Sequence, residues 1–146
     1  NIGMAKVATS AQEAIELNLL LKNRDKVTVG SNNLITDAKA AALNLANQGY
    51  TKPIANKIKA LGKEGLGMFM VGAHSMHAAG YITDHEKLMS EKLAYTICGG
   101  DLSYPTLVSE QYLLDLERQA FLSLCGERKT LERIEHMLKK GKPLRN

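Results

Sequence analysis

Apolar residues recur along this chain mostly at helical spacing. Leu34, Ile35, Ala38, Ala41, Ala42 and Leu45 fall on one stripe. A 3.6-residue period of this kind predicts a helix from Asn32 or Asn33, which "QGY" and then Pro53 close. Ahead of it, "SAQE" at 10 to 13 reads as a capping box. Ser10 can accept from the Glu13 amide while the Glu13 carboxylate reaches back, which predicts a helix to about Leu20. A third helix is predicted from about Glu64 to Ala79. Its glycines at 65, 67 and 72 lower helix propensity but let another backbone come close, so this helix is expected to be buried. "TDHE" at 83 to 86 is a second capping box, opening a helix through Leu88, Leu93 and Ile97 that "CGG" closes. After the turn "DLSYPT", Leu113, Leu116, Ala120 and Leu124, with Leu114 and Phe121 beside them, predict a helix over 109–125. Leu131, Ile134, Met137 and Leu138 predict a last one, ending at Gly141 and Pro143.

Strand signals are scarce. "DKVTV" at 25 to 29 is short and β-branched and is the best strand candidate, while 47–63 reads as loop. The expected class is mainly α, with about six helices and one short strand. A lone strand leaves its edges unpaired. Together with a first residue that is Asn1 rather than Met, this leads to the expectation of a piece of something larger.

Composition narrows the picture modestly. Of the 146 residues, 45% are hydrophobic but only 5% aromatic, so the core must be aliphatic. A net charge of +4 is too mild to point to nucleic acid by itself. The cations gather at "KKGKPLRN", residues 139 to 146, which carries no acid. That run is either a solubilising tail that complements the last helix's dipole or a site for a phosphate-bearing ligand. Cys98 and Cys125 form no CxxC motif, which fits a reducing compartment and inert packing. No signal peptide or apolar run of about 20 residues is visible, so no integral membrane segment and a cytoplasmic location are expected.

Candidate chemistry is thin. "HSMHAAGYITDHE" at 74 to 86 puts His74 and His77 on one helix face, with Asp84, His85 or Glu86 as a possible third ligand. HEXXH is absent, and Asp84 and Glu86 suit a helix N-terminus. The reading preferred is a helix end followed by a capped helix start, with no metal. "GKEGLG" at 62 to 67 fits neither the P-loop nor the dinucleotide pattern. Glu110, Asp115, Glu117 and Arg118 read as a solvated helix face.

Two stretches carry a resemblance. "AKVATSAQEAIELNLLLKNRDKVTVGSNNLITDAKAAALNLANQGY" resembles the middle of the crotonase (enoyl-CoA hydratase/isomerase) fold, through Ser10, Ala11, Glu13, Ala14, Leu17 and Leu19. Asn18 stands where that family usually has glycine. "LLDLERQAFLSLCGERKTLERIEHMLKKGKPLRN" resembles the closing crotonase helices. With "GYITDHEKLMSEKLAYTICGGDL" between them, the chain is similar to bacterial multifunctional 3-hydroxyacyl-CoA dehydrogenases of fatty-acid β-oxidation, in which a crotonase-like region follows NAD-binding domains. The resemblance implies a single helical fragment over 1–146, crotonase-like over 1–50 and a C-terminal helical region over 64–146.

It further implies partners: upstream domains of a parent chain, acyl-CoA and a homo-oligomer. NAD and a CoA thioester are implied for the parent, which would hydrate enoyl-CoA, oxidise 3-hydroxyacyl-CoA, or both; no cofactor is implied for the fragment. The family's oxyanion-hole amides, acid/base carboxylates and GxGxxG belong to other parts of the polypeptide, so no catalytic residue is carried over and the fragment alone is expected to be inactive. An aromatic and a lysine near the family's final helix contact CoA; by position these are Met137 and Lys140, with Lys139 and Lys142 nearby. The alternative reading is a free-standing basic helical module for nucleic acid or protein interaction. It lacks an evident recognition helix, so no nucleic-acid partner is expected.

Overall fold

Helices form where the apolar stripes and caps fall, and strands form where they were not expected. The computed structural model describes residues 6–146. Asn1 and Ala5, the first residue of the stretch read as crotonase-like, lie outside them. The chain divides into two units, one up to Ile54 and one from Ala55 to Asn146.

In the first unit, α1 (Ala11–Glu16) is capped by Ser10, whose Oγ accepts from the Glu13 amide at 3.1 Å. The Glu13 carboxylate reaches back one residue further than a capping box requires. It accepts from the Thr9 amide at 2.8 Å and the Thr9 hydroxyl at 2.7 Å. The helix stops at Glu16 rather than near Leu20. Asn18 takes a φ of 58°, and the amides of Leu19 and Leu20 both turn back onto the Ala14 carbonyl. Asparagine is among the few residues that tolerate this left-handed geometry.

The strand expected at 25–29 does not form. Asp25 instead accepts from the Leu21 amide at 2.8 Å, and Val27 and Val29 are 52% and 88% exposed. β-branching favours a strand only where an edge is offered to pair with. A short 3-10 turn, Ser31–Asn33, leads into α2 (Leu34–Asn47). The predicted stripe is helical, yet none of α2's residues is buried.

The second unit begins with β1 (Ile58–Ala60), inside the stretch read as loop. Then come α3 (Gly62–Ala78), α4 (Asp84–Cys98), β2 (Thr106–Val108), α5 (Glu110–Cys125) and α6 (Arg128–Lys140). The strands pair antiparallel, Ile58 opposite Val108 and Ala60 opposite Thr106. The described residues therefore hold six α-helices and a two-stranded sheet, mainly α as expected but with a different strand content.

The core of this unit is small and aliphatic: Ala60, Ala73, Ala94, Cys98, Val108 and Leu116. Two glycines close it. Gly99 caps α4 at φ 88°, and a Cβ there would lie 2.6 Å from that of Ala60. Gly62 opens α3 at φ 67°, with Tyr104 backbone 2.8 Å from where a Cβ would be. The Lys63 amide bonds the Leu102 carbonyl at 2.8 Å, and the Tyr112 hydroxyl donates to the Gly99 carbonyl at 2.9 Å.

α3 is not buried as expected. Only Gly62, Gly65 and Ala73 of its residues are, while Met68 and Val71 are 70% and 67% exposed. A Cβ at Gly67 or Gly72 would meet nothing within 4 Å. From Gly65 to Met76 the helix has no Asp, Glu, Lys or Arg. Among the described residues, no helix is long and apolar enough to cross a membrane.

Candidate functional site

α6 forms because Leu131, Ile134 and Leu138 share one side while charged residues fill the other. It ends at Gly141, whose φ of 64° lets its amide return to the Met137 carbonyl. The four candidate CoA contacts sit at or just beyond this end. Lys139 and Lys140, with His136, Glu132, Glu135 and Leu144, line a shallow depression. Met137, 46% exposed, and Lys142 do not line it.

Lys139 is committed elsewhere. Its ammonium pairs with Glu135 one turn back and holds that carboxyl below its ordinary pKa. An acid at i−4 from a lysine was visible in the sequence and would have flagged this pair. Lys140 and Lys142 carry charge, and Met137, at the position where the resemblance expects an aromatic, offers no ring to stack. Such a site could hold a phosphate through ammonium groups alone.

The cationic run does not behave as one tail. Beyond Gly141 the chain folds back on the first turn of α4. There the second capping box is complete: the Thr83 Oγ accepts from the Glu86 amide at 3.2 Å, and the Glu86 carboxylate accepts from the Thr83 amide at 2.8 Å. Arg145 lays its guanidinium on that same carboxylate at 3.0 to 3.2 Å and donates to the Tyr81 carbonyl at 2.6 Å. Arg133 of α6 lies 3.8 Å from Glu86. Asn146 accepts from Arg133 through its side chain at 2.7 Å, and its backbone oxygen accepts from Thr83 at 3.3 Å. The Thr83 amide first, then Arg145 and Arg133, hold the Glu86 carboxyl below its ordinary pKa. Sequence reading gave the capping box but not Arg145 or Asn146, which reach it across about 60 residues with no local signal.

The histidine-rich stretch is dispersed. His77 Nε2 lies 2.7 Å from Asp84 Oδ1, so Asp84 serves His77. His74 is exposed. His85 turns inward to Thr130 at 3.0 Å, and Glu86 is engaged by the cap and Arg145. Among the described residues, no three His, Cys, Asp or Glu side chains group to hold a metal. Cys98 is fully buried, which raises its pKa. Asp115 and Arg118 pair at 3.1 Å on the outer face of α5.

A relative exists with strong likeness over this whole stretch. The chain is 48% identical over 145 residues to the "Probable 3-hydroxyacyl-CoA dehydrogenase" of Bacillus subtilis (strain 168). The match covers 99% of this chain and 18% of that protein. No protein-family model matches the chain, and no solved structure matches it.

Proposed function

We propose that this chain is a helical portion of a 3-hydroxyacyl-CoA dehydrogenase of fatty-acid oxidation. The observation that carries the reading is the 48% identity sustained over 145 residues to a protein of that name. In this reading the fragment supplies helical cover and assembly contacts to the rest of a longer polypeptide, with NAD and the acyl-CoA held mainly elsewhere. The uncharged outer face of α3 and the wholly unburied α2 suit such contacts, because each leaves apolar surface open to a neighbour. Lys140 and Lys142 act as cations for CoA phosphate, with Lys139 held back by Glu135. A crotonase-like hydratase activity is a further part of the proposal and rests on the sequence resemblance alone.

The test is an assay of the in-frame polypeptide that contains this sequence and matches the full length of the relative. It should form NADH from a 3-hydroxyacyl-CoA and lose that activity when this region is deleted. The 146-residue chain by itself should be inactive toward both 3-hydroxyacyl-CoA and enoyl-CoA. Lys140→Ala with Lys142→Ala should raise KM several-fold and leave kcat unchanged, because each exposed ammonium–phosphate pair contributes up to about 1 kcal/mol. A full-length protein that forms no NADH would refute the proposal.

A further inference from the structure

We propose that His85 and Thr130 form a proton-operated latch between α4 and α6, and that protonation of His85 loosens the first turn of α6. Among the described residues, these two are the buried polar side chains, at 5% and 9% exposure. They meet across 45 residues of sequence, His85 Nε2 to Thr130 Oγ1 at 3.0 Å. Each belongs to the first turn of its helix, where unpaired amides give the helix end a partial positive charge.

The charged groups facing the ring come from both elements and from the α6 N-cap: Arg133 and Lys129 disfavour a second positive charge, while Glu127 and Glu86 partly offset them. Burial is the largest cause and the two cations add to it, so the imidazole's pKa lies below its ordinary value. Protonation places a cation in this pocket; Nε2 becomes a donor and the Thr130 hydroxyl can accept from it, so the cost is the buried charge rather than a lost hydrogen bond. Polar contacts also join α4 to α6. Arg133 lies 3.8 Å from Glu86 and 3.5 Å from the Met89 sulfur, and Asn146 bridges Arg133 to Thr83. A charge on His85 beside Arg133 and Lys129 therefore strains the first turn of α6, while Arg145 keeps its bonds to Glu86 and Tyr81.

The direction follows from linkage. The folded state holds fewer protons at His85 than the unfolded chain, so the latch contributes fully above about pH 6.5. It weakens as pH falls from there toward the lowered folded value. Glu86 stays ionised throughout that window, since its carboxyl is itself held low. The capping box therefore persists while the latch opens.

The experiment is native-state hydrogen exchange of the whole 146-residue chain at pH 7.5 and 5.5, corrected for intrinsic rates. Peptides covering residues 128–140 are read in the wild type and in His85→Gln, whose amide can keep the Thr130 hydrogen bond without titrating. The wild type should lose protection several-fold at the lower pH while His85→Gln stays level. His74, His77 and His136 remain in both proteins and so cancel. Equal loss in both proteins, or none in the wild type, would overturn the latch. Should His85→Gln fail to fold, NMR titration of the wild type decides: α6 amides that lose protection in step with the His85 ring's own midpoint support the latch, and α6 amides indifferent to that midpoint overturn it.

Discussion

Glu86→Ala probes the junction where α4, α6 and residues 141–146 meet. Three losses follow from its contacts. The Thr83 amide loses the acceptor at 2.8 Å, half of a capping box, at a cost of about 1 kcal/mol. Arg145 loses its carboxylate; its side chain is 62% exposed, so solvent screening limits that pair to about 0.5 kcal/mol. Arg133, only 18% exposed, keeps its charge beside His85 without its counter-ion, adding about 1 kcal/mol. The sum is about 2 to 3 kcal/mol, to be read as ΔΔG in urea unfolding followed by far-UV circular dichroism. Glu86→Gln keeps the acceptor for Thr83 and should cost about half as much. The Glu86 carboxyl is held below its ordinary value, so its contribution is complete above about pH 4.5 and is lost as pH falls through the lowered folded value. The wild type and Glu86→Ala should therefore converge in stability at strongly acid pH. A Glu86→Ala protein within about 0.5 kcal/mol of wild type at pH 7 would refute the reasoning, as would a glutamine variant as unstable as the alanine.

Gly99→Ala should destabilise by about 3 kcal/mol in the same assay, since it adds a left-handed strain to a 2.6 Å clash with Ala60. Asn18→Gly should be neutral or slightly stabilising, because glycine takes the φ of 58° without strain; a clear loss of stability would mean that the asparagine side chain matters. In native protein a thiol reagent should modify Cys125 well before Cys98, whose thiol is buried and titrates above the usual range. Thr83→Ala should cost about 1 kcal/mol through the lost cap.

Most helices were legible because their signals are local. Thr83 and Glu86 fix the start of α4, Ser109 fixes that of α5, and Gly141 ends α6, all within four residues of the boundary. The strands were not. Ile58–Ala60 and Thr106–Val108 are three residues each, too short to show alternation, and each is a strand only because the other is beside it. "DKVTV" has the better composition and fails for want of that neighbour. The glycines of α3 were read as a sign of burial, yet Gly67 and Gly72 face open space. At the candidate site, the end of α6 at Gly141 was legible from pattern, whereas Met137, Lys139, Lys140 and Lys142 came in as CoA contacts from the family resemblance alone. The pairing of Lys139 with Glu135 was available from spacing and was missed. The folding of Arg145 onto Glu86 was not available, because nothing near either residue encodes the other.

The β1–β2 pairing also sets an order of assembly. Ala60 and Thr106 are partners across residues 61–105, the segment that holds α3 and α4. Closing a loop of that size costs about 3 to 4 kcal/mol in chain entropy, more than two three-residue strands recover by themselves. The α3–α4 hairpin, whose contacts are local, must therefore form first and bring the strand ends together. On this route the sheet is a clasp that shuts late. Substitutions in Thr106–Val108 should speed unfolding with little effect on refolding, whereas those between α3 and α4 should slow refolding.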